Sequence, residues 1–230
     1  VFGGSGFVGR HTVSALARRG YRVRAGERRP DLAGYLQPMG VVGQVHAVQA
    51  NVRFPASVEA AADGAEAVIN LVAILAPSGK QTFPALHVEG ARTVAKAARA
   101  AGAKRFIHIS AIGASRSSAS AYARTKAEGE EAVLQEFPEA IIIRPSIVFG
   151  PEDEFFNRFA KLSLLSPFLP LIGGGRTKFQ PIYVGDVATA IANAVQGAGK
   201  PGAIYEVGGP EVFTFRRLLD LTQEYTGRKR

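Results

Sequence analysis

Cysteine and tryptophan are absent from this sequence of 230 residues, and methionine occurs only once. Without cysteine the protein has no disulfide bond, no thiol nucleophile and no cysteine-ligated metal, and it fits a reducing compartment. The four histidines are far apart and lack the spacing of metal ligands, so we expect no metal site. The apolar run over residues 67–76 contains Asn70 and stops at Pro77, well short of the roughly 18 residues that a transmembrane helix needs. We therefore expect no transmembrane segment.

Acidic residues are also scarce, since 19 Asp and Glu stand against 28 Lys and Arg and leave a net charge of +9. A basic surface suits phosphate-bearing ligands, anionic lipids or an acidic protein partner, but it is also compatible with an ordinary solvated face. The positive charges are spread along the chain, and no nucleic-acid-binding motif occurs among them. We expect no nucleic-acid partner.

Short β-rich runs alternate with amphipathic segments of helical length along most of the chain. The expected helices are residues 7–19, 83–101, 120–136, 184–195 and 213–225. The expected strands are residues 1–2, 21–25, 45–49, 67–72, 105–110, 140–144 and 204–207. Such alternation implies parallel strands joined by right-handed crossovers. We predict an α/β fold with a doubly wound parallel sheet, which binds its ligand beyond the carboxyl ends of the strands.

A glycine-rich turn lies between the first strand and the first helix. Its three regularly spaced glycines allow a tight turn, close approach of the backbone to a pyrophosphate, and packing of the helix against the strand. The helix N-terminus then presents free N–H groups to the anion. The predicted pyrophosphate ligands are Gly3, Ser5, Gly6, Phe7, Val8 and Gly9.

Three charged residues at the end of the second strand give opposite predictions about whether the adenosine ribose of the cofactor carries a 2′-phosphate. The carboxylate of Glu27 is placed to accept hydrogen bonds from the ribose hydroxyls, which favours NAD. Arg28 and Arg29 follow immediately, and guanidinium groups at this place clamp a 2′-phosphate, which favours NADP. The cofactor is therefore NAD or NADP, with the preference left open.

Tyr122 and Lys126 lie four residues apart near the start of the helix expected over residues 120–136, so they share one helix face. The ammonium group is expected to favour the phenolate and so to lower the pKa of Tyr122, and to hydrogen-bond the nicotinamide ribose. Ser110, at the end of the preceding strand, is the candidate for the hydroxyl that polarises a substrate carbonyl, and Ser115, Ser117 and Ser118 in the following loop are the alternatives. The predicted catalytic residues are Tyr122, Lys126 and Ser110.

The glycine spacing together with Tyr122 and Lys126 resembles the extended and atypical short-chain dehydrogenases/reductases of the NAD-dependent epimerase/dehydratase type. The blocks 137–160 and 180–195 are more specific, and they resemble the nucleotide-binding accessory subunits of respiratory complex I and their bacterial relatives. The resemblance implies further cofactor contacts, with Asn51 and Val52 at the adenine edge, Leu71, Val72 and Ala73 beneath the cofactor, and Pro145 as an additional contact. It also places the hydroxyl expected in related epimerases at Ile112, which cannot donate a hydrogen bond.

The resemblance implies an NAD(P)-binding Rossmann core over residues 1–149. In residues 150–230, the stretch 181–209 is expected to return to the core. Residues 150–180 and 210–230 are expected to form a small substrate-side lobe that is incomplete at its C-terminus. The expected location is cytoplasmic, with a possible peripheral position at the cytoplasmic face of the inner membrane, or at the matrix side in a eukaryote.

Two main functions stay open. The first is an accessory or assembly-type subunit of complex I with a largely structural NADPH, and a cofactor sensor without chemistry is a weaker variant of it. The alternative is an NAD(P)-dependent oxidoreductase or epimerase that acts on a carbonyl or hydroxyl of a lipid-like, quinone or sugar substrate. Ile112 favours the first hypothesis, whereas the Tyr122–Lys126 pair favours the second.

Overall fold

The structure is a computed structural model that describes residues 1–165 and 171–227. The α-helices of these residues are α1 (Phe7–Arg18), α2 (Pro55–Ala62), α3 (Gly90–Ala100), α4 (Ala121–Glu136), α5 (Phe155–Leu165), α6 (Val184–Val195) and α7 (Phe215–Tyr225). The strands are β1 (Val23–Glu27), β2 (Val45–Gln49), β3 (Ala67–Asn70), β4 (Arg105–Ile109), β5 (Ile141–Pro145), β6 (Val148–Phe149), β7 (Lys178–Phe179), β8 (Ile182–Tyr183), β9 (Ile204–Val207) and β10 (Phe213–Thr214). Two 3₁₀ turns (Pro30–Met39 and Ile172–Gly175) and one π-helical turn (Pro84–Glu89) complete the elements.

A parallel sheet lies at the centre of the fold. The β1–β2 pair and the β3–β4–β5–β9 block are both parallel, and Phe2 joins them through bridges to Gly26 and Asn70. The order across the sheet is therefore β2, β1, Phe2, β3, β4, β5 and β9. The connections run in opposite directions from Phe2, so the switch point of the sheet lies where the chain leaves Phe2 for the glycine turn. The predicted doubly wound α/β fold is confirmed.

Apolar side chains bury both faces of this sheet. One core contains Val13 of α1 and Ile191 of α6, whereas the other contains Val94 of α3 and Val133 of α4. Successive residues of β4 point to opposite faces, so Phe106 enters the second core and Ile107 the first. The same alternation directs His108 and Ser110 toward the face covered by α3 and α4.

Side-chain hydrogen bonds explain why two elements are shorter than expected. The strand predicted over residues 67–72 ends at Asn70, because the Asn70 Oδ1 accepts the N–H of Val72 at 3.1 Å and turns the chain. The helix predicted over residues 213–225 begins only at Phe215, because Phe213 and Thr214 pair with β7 and the Thr214 hydroxyl caps the helix.

The helix predicted over residues 83–101 consists of the π-helical turn followed by α3. The turn packs against α4 so closely that a Cβ on Gly129 would lie 2.0 Å from the His87 carbonyl oxygen. Because this contact is tertiary, the spacing of apolar residues within the segment does not indicate the π-helical turn. The helix α2, which begins with Pro55 in its first turn, was not predicted, and neither was α5.

Phenylalanine rings join the elements that follow β6. Phe155 and Phe159 of α5 and Phe215 of α7 pack with centroid distances of 5.1–6.2 Å, and Phe179 of β7 lies 6.0 Å from Phe155 and from Phe215. The division of the chain into core and lobe stays a prediction, and residues 166–170 and 228–230 of the predicted lobe lie outside the described residues. Within the described ranges, no helix is both long enough and apolar enough to cross a membrane.

Candidate functional site

The glycine turn forms a cradle of backbone atoms at the switch point. Gly3 has a φ of +80°, and a Cβ on Gly9 would lie 2.1 Å from the Gly3 carbonyl oxygen and 2.7 Å from backbone atoms of Gly4. Only glycine fits these two positions. The N-cap residue Gly6 offers no side chain to the N–H groups of the first turn of α1. The cradle therefore fits a pyrophosphate, which takes such N–H groups as donors.

The end of β1 meets this cradle through Glu27. The Ser5 N–H and the Ser5 hydroxyl each donate to one oxygen of the buried Glu27 carboxylate, both at 2.6 Å. Arg29 forms an exposed ion pair with Asp31 at 2.7 Å. The Arg28 guanidinium is exposed and has no hydrogen-bond or ion-pair partner in the described part of the chain. Of the two arginines considered for a 2′-phosphate, only Arg28 lacks an acidic partner.

The outer wall of the cradle is formed by residues that sequence reasoning missed. The Tyr35 hydroxyl donates to the Ser5 carbonyl, and the Arg10 guanidinium lies 5.0 Å from the Tyr35 ring centroid. Arg10 also donates to the Ser5 carbonyl at 3.3 Å. The His11 Nε2 lies 2.9 Å from Glu152, and this hydrogen bond holds the pKa of the Glu152 carboxyl below its usual value. Arg10 and His11 directly follow Gly9, but nothing in the sequence spacing connects Tyr35 or Glu152 to the glycine turn.

Asn51 and Val52, the residues expected at the adenine, are already engaged within the protein. The Asn51 Oδ1 accepts the backbone N–H of Arg53 at 3.1 Å, and the Asn51 N–H donates to the Ser57 hydroxyl at 3.0 Å. Val52 is buried, and a Cβ on Gly90 would lie 2.8 Å from its side chain. Of the Asn51 side chain, the amide nitrogen stays available to a ligand.

The stretch after β3, which is predicted to pass beneath the cofactor, lies against the cradle. The Leu71 N–H donates to the Phe2 carbonyl at 3.0 Å, and the Leu71 carbonyl carbon would lie 3.3 Å from a Cβ on Gly3. Val72 is half-buried and Ala73 is exposed. The backbone of this stretch therefore approaches the glycine turn directly.

Tyr122 and Lys126 share a face of α4, and both are affected by burial. The Lys126 ammonium is fully buried, its Nζ donates to the Ile109 carbonyl at 2.7 Å, and burial lowers its pKa to about 8. Burial raises the pKa of the Tyr122 hydroxyl above its usual value, because an ionised phenolate loses its hydration there. The predicted lowering of the Tyr122 pKa is therefore wrong. Helix spacing indicated a nearby ammonium, but it did not show the burial that raises the pKa of Tyr122.

Ser110 lies at the carboxyl end of β4, as expected, but its side chain points into the protein. Its side chain is 5% exposed, and within residues 1–165 and 171–227 its hydroxyl has no hydrogen-bond partner. The next two residues turn outward, and Ile112 is 48% exposed with its N–H donating to the Pro145 carbonyl at 3.1 Å. An isoleucine thus occupies the surface position, and the hydroxyl lies beneath it.

A second group of buried polar residues surrounds the Tyr122–Lys126 pair, and the sequence offered no signal for it. Asn70 donates from Nδ2 to the His108 Nδ1 at 3.2 Å, and the His108 Nε2 finds no partner among the described residues. His87 is hydrogen-bonded to Thr125 at 3.1 Å. Burial lowers the pKa of both imidazoles, and the Lys126 charge adds to this, so His87 has a pKa of about 4.

This geometry has counterparts among known proteins. A model of the NAD dependent epimerase/dehydratase family matches residues 1–208, so the chain belongs to this family. The family expected from the glycine turn and the Tyr122–Lys126 pair is confirmed, and so is a dinucleotide of the NAD or NADP class as its cofactor.

Two relatives are similar to most of the chain. The chain is 41% identical over 224 residues to the mitochondrial NADH dehydrogenase (ubiquinone) 1 alpha subcomplex subunit 9 of Arabidopsis thaliana. The matched region covers 96% of this chain and 56% of the plant protein. The chain is also 35% identical over 191 residues to a ceramide reductase of Caulobacter vibrioides, and this matched region covers 83% of this chain and 58% of that protein. The chain spans little more than half the length of either relative.

Solved structures show the same fold at lower identity. The dTDP-glucose 4,6-dehydratase of Streptomyces venezuelae, whose structure contains NAD, is similar with a TM-score of 0.82 and 23% identity over 99% of this chain and 80% of that chain.

Proposed function

We propose that this chain is the nucleotide-binding part of an accessory subunit of respiratory complex I, in which the dinucleotide has a mainly structural role. One contrast carries the proposal. The backbone cradle for the dinucleotide is complete, but neither of the two positions expected for the polarising hydroxyl presents one, because Ser110 is buried and Ile112 takes the surface position. A site of this kind holds a nucleotide well and stabilises charge on a substrate oxygen poorly.

The name of the Arabidopsis relative supports this assignment at 41% identity, and the mouse protein of the same name is 38% identical over 223 residues. We propose a peripheral position on the complex, at the cytoplasmic face of the inner membrane in a bacterium or at the matrix side in a mitochondrion. The net charge of +9 supports a contact with acidic protein surfaces or anionic lipids there. We also propose that residues 150–180 and 210–230 form the lobe on the substrate side of the cofactor.

A second candidate is an oxidoreductase that acts on a lipid-like carbonyl or hydroxyl. It is favoured by the Tyr122–Lys126 pair on α4 and by the 35% identity to the Caulobacter ceramide reductase. In that case the bound dinucleotide supplies hydride chemistry at its nicotinamide ring, Tyr122 exchanges a proton with the substrate oxygen, and Lys126 orients the ribose. Because the pKa of Tyr122 is raised, its hydroxyl stays protonated at neutral pH and is better suited to act as an acid than as a base.

One experiment separates the two candidates. Purified protein is titrated with NADH and with NADPH, and the absorbance of the reduced nicotinamide is then followed with quinones, aldehydes, ketones and long-chain keto lipids. Tight binding without oxidation, together with co-migration of the protein with solubilised complex I, is the expected result. Oxidation by one compound class that is lost in Tyr122→Phe would establish the enzyme instead. Failure to bind either nucleotide would contradict both candidates.

A further inference from the structure

His87 occupies an unusual place in the fold. It lies in the π-helical turn, its side chain is 1% exposed, and its carbonyl oxygen faces Gly129 on α4. Single π-helical turns within longer helices are rare and frequently lie at functional sites. The close packing at Gly129 fixes this turn against the helix that carries Tyr122 and Lys126, so the imidazole is held between that helix and the stretch after β3.

Hydrogen bonding determines the tautomer of His87. The backbone N–H of Ile74 donates to Nε2 at 3.1 Å, so Nε2 has to be the unprotonated nitrogen. Nδ1 therefore carries the hydrogen and donates it to the Thr125 hydroxyl at 3.1 Å. The Thr125 hydroxyl in turn donates to the Ala121 carbonyl at 2.8 Å. The chain of donors runs in one direction, and it requires a neutral ring, which agrees with the lowered pKa of His87.

The two bonds of this ring reach the two parts of the site. Ile74 directly follows the stretch 71–73, whose backbone lies against the cradle at Gly3. Thr125 precedes Lys126 on α4, one turn beyond Tyr122. A single side chain thus connects the backbone beneath the dinucleotide with the helix that is expected to contact its nicotinamide half.

Aromatic contacts add a second constraint on Tyr122. The His87 ring meets the Tyr122 ring edge to face at a centroid distance of 5.4 Å, and the Phe83 ring does the same at 5.9 Å. Phe83 also stacks on His87 at 5.2 Å. The Tyr122 ring therefore has two aromatic neighbours, which belong to the π-helical turn and the residue before it, and its orientation depends on the position of that turn.

We propose that His87 is a positioning residue, which sets the distance between the strand-end stretch 71–74 and the Tyr122–Lys126 helix and thereby shapes the nicotinamide half of the dinucleotide site. The inference rests on the proposed binding of a dinucleotide at this site. It assigns no chemistry to His87 itself. Its consequence is local, since the phosphate cradle shares no hydrogen bond with the imidazole in the described part of the chain.

Two substitutions test the two bonds separately. His87→Gln places an amide oxygen near the position of Nε2 and keeps an acceptor for the Ile74 N–H, whereas His87→Asn places an amide nitrogen near Nδ1 and keeps only a donor for Thr125. The probes are NADH and ADP-ribose, because ADP-ribose lacks the nicotinamide. Affinities for both are measured with wild type and both variants, below the melting temperature of each.

We expect His87→Asn to weaken NADH about five- to tenfold, as the loss of one buried hydrogen bond would, and to leave ADP-ribose within about twofold. His87→Gln, which keeps the Ile74 bond but loses the bond to Thr125, should also weaken NADH and leave ADP-ribose within about twofold, because the imidazole positions the helix only through both bonds. An equal loss for both ligands, or unchanged NADH affinity in both variants, would overturn the proposal. If one variant fails to fold, Thr125→Val, with Thr125→Ser as its conservative partner, gives the same ligand contrast from the other side of the bond. A wild-type protein that binds neither probe would instead refute the proposed function.

Discussion

The two halves of the candidate site consist of different kinds of chemical group. The phosphate half, which consists of the turn Gly3–Gly9 and Glu27, is made of backbone N–H groups, glycines and one carboxylate with two donors. The tyrosine half, which consists of the half-buried Tyr122 and the buried His87, His108, Ser110 and Lys126, is made of side chains, and two of their polar atoms have no partner among the described residues. The first half depends on shape, whereas the second depends on keeping polar groups away from water.

This difference predicts different sensitivities. Backbone geometry is insensitive to pH but intolerant of an added carbon atom. Buried ionisable groups tolerate changes of shape better, but they reduce the free energy of unfolding by an amount that depends on pH. The predictions below test whether the two halves differ in this way.

The largest effect is expected for Gly9→Ala in the phosphate half. Its Cβ would lie 2.1 Å from the Gly3 carbonyl oxygen, and backbone atoms cannot move aside at small cost. We expect the free energy of unfolding to fall by roughly 3 kcal/mol, with dinucleotide binding lost, as measured by chemical denaturation and by NADH titration. Gly34→Ala is the matched control, because no described atom lies within 4 Å of its added Cβ and its φ is not positive. Normal NADH binding by Gly9→Ala would show that the cradle can adapt.

The second largest effect is expected from acid, which should lower the free energy of unfolding through the buried histidines of the tyrosine half. His87 has a pKa of about 4 in the folded state against about 6.5 when unfolded, and burial also lowers the pKa of His108 well below 6.5. Below pH 6.5 the unfolded chain therefore binds more protons, and the free energy of unfolding should fall by up to about 1.4 kcal/mol per pH unit for each histidine as the pH drops toward 4. Urea denaturation over this range gives the slope. His87→Gln should reduce it, whereas the exposed His46→Gln should not; equal slopes in all three proteins would exclude His87 as a source.

Lys126→Met should stabilise the protein while it weakens cofactor binding. The Lys126 pKa of about 8 lies below its usual 10.5, so below pH 8 the folded state bears the full cost of a buried ammonium. That cost disappears as the pH rises through 10.5. After subtraction of the lost bond to the Ile109 carbonyl, we expect a gain of roughly 1–2 kcal/mol at pH 7 that closes toward pH 10.5. The exposed Lys96→Met is the control, and a gain that does not vary with pH would rule out desolvation as its cause.

The geometry of the phosphate half was largely predictable from the sequence, because it depends on neighbours along the chain. The spacing of Gly3, Gly6 and Gly9 is itself the geometry of the turn, and the apolar period placed α6 at residues 184–195, where the structure has it. In the tyrosine half, spacing put Tyr122 and Lys126 on one face of α4 correctly. The direction of the Tyr122 pKa was predicted wrongly, since burial is a property of the folded packing.

The π-helical turn could not be predicted for the same reason. It depends on Gly129, which lies far along the chain from His87 and meets it only once α4 packs against the turn. The polar partners of His87 come from the stretch after β3 and from α4. A lone buried histidine in an alanine-rich segment carries no sign of these partners, because none of them lies within one helical turn of it in the sequence.

The smallest effect concerns the ribose end of the phosphate half, where one arginine is free and its neighbour is not. Arg28→Ala should weaken NADPH about fivefold and leave NADH unchanged, as expected for an exposed guanidinium–phosphate contact of about 1 kcal/mol. Arg29→Ala should change neither affinity, because the Arg29 guanidinium is already held by Asp31. Competitive titrations of both nucleotides against both variants decide the matter. Equal losses of NADPH affinity in the two variants would mean that the Arg29–Asp31 pair opens for the phosphate. No loss in either would leave Glu27, whose carboxylate lies against Ser5 in the cradle, as the group that selects the nucleotide, and NAD as the one it favours.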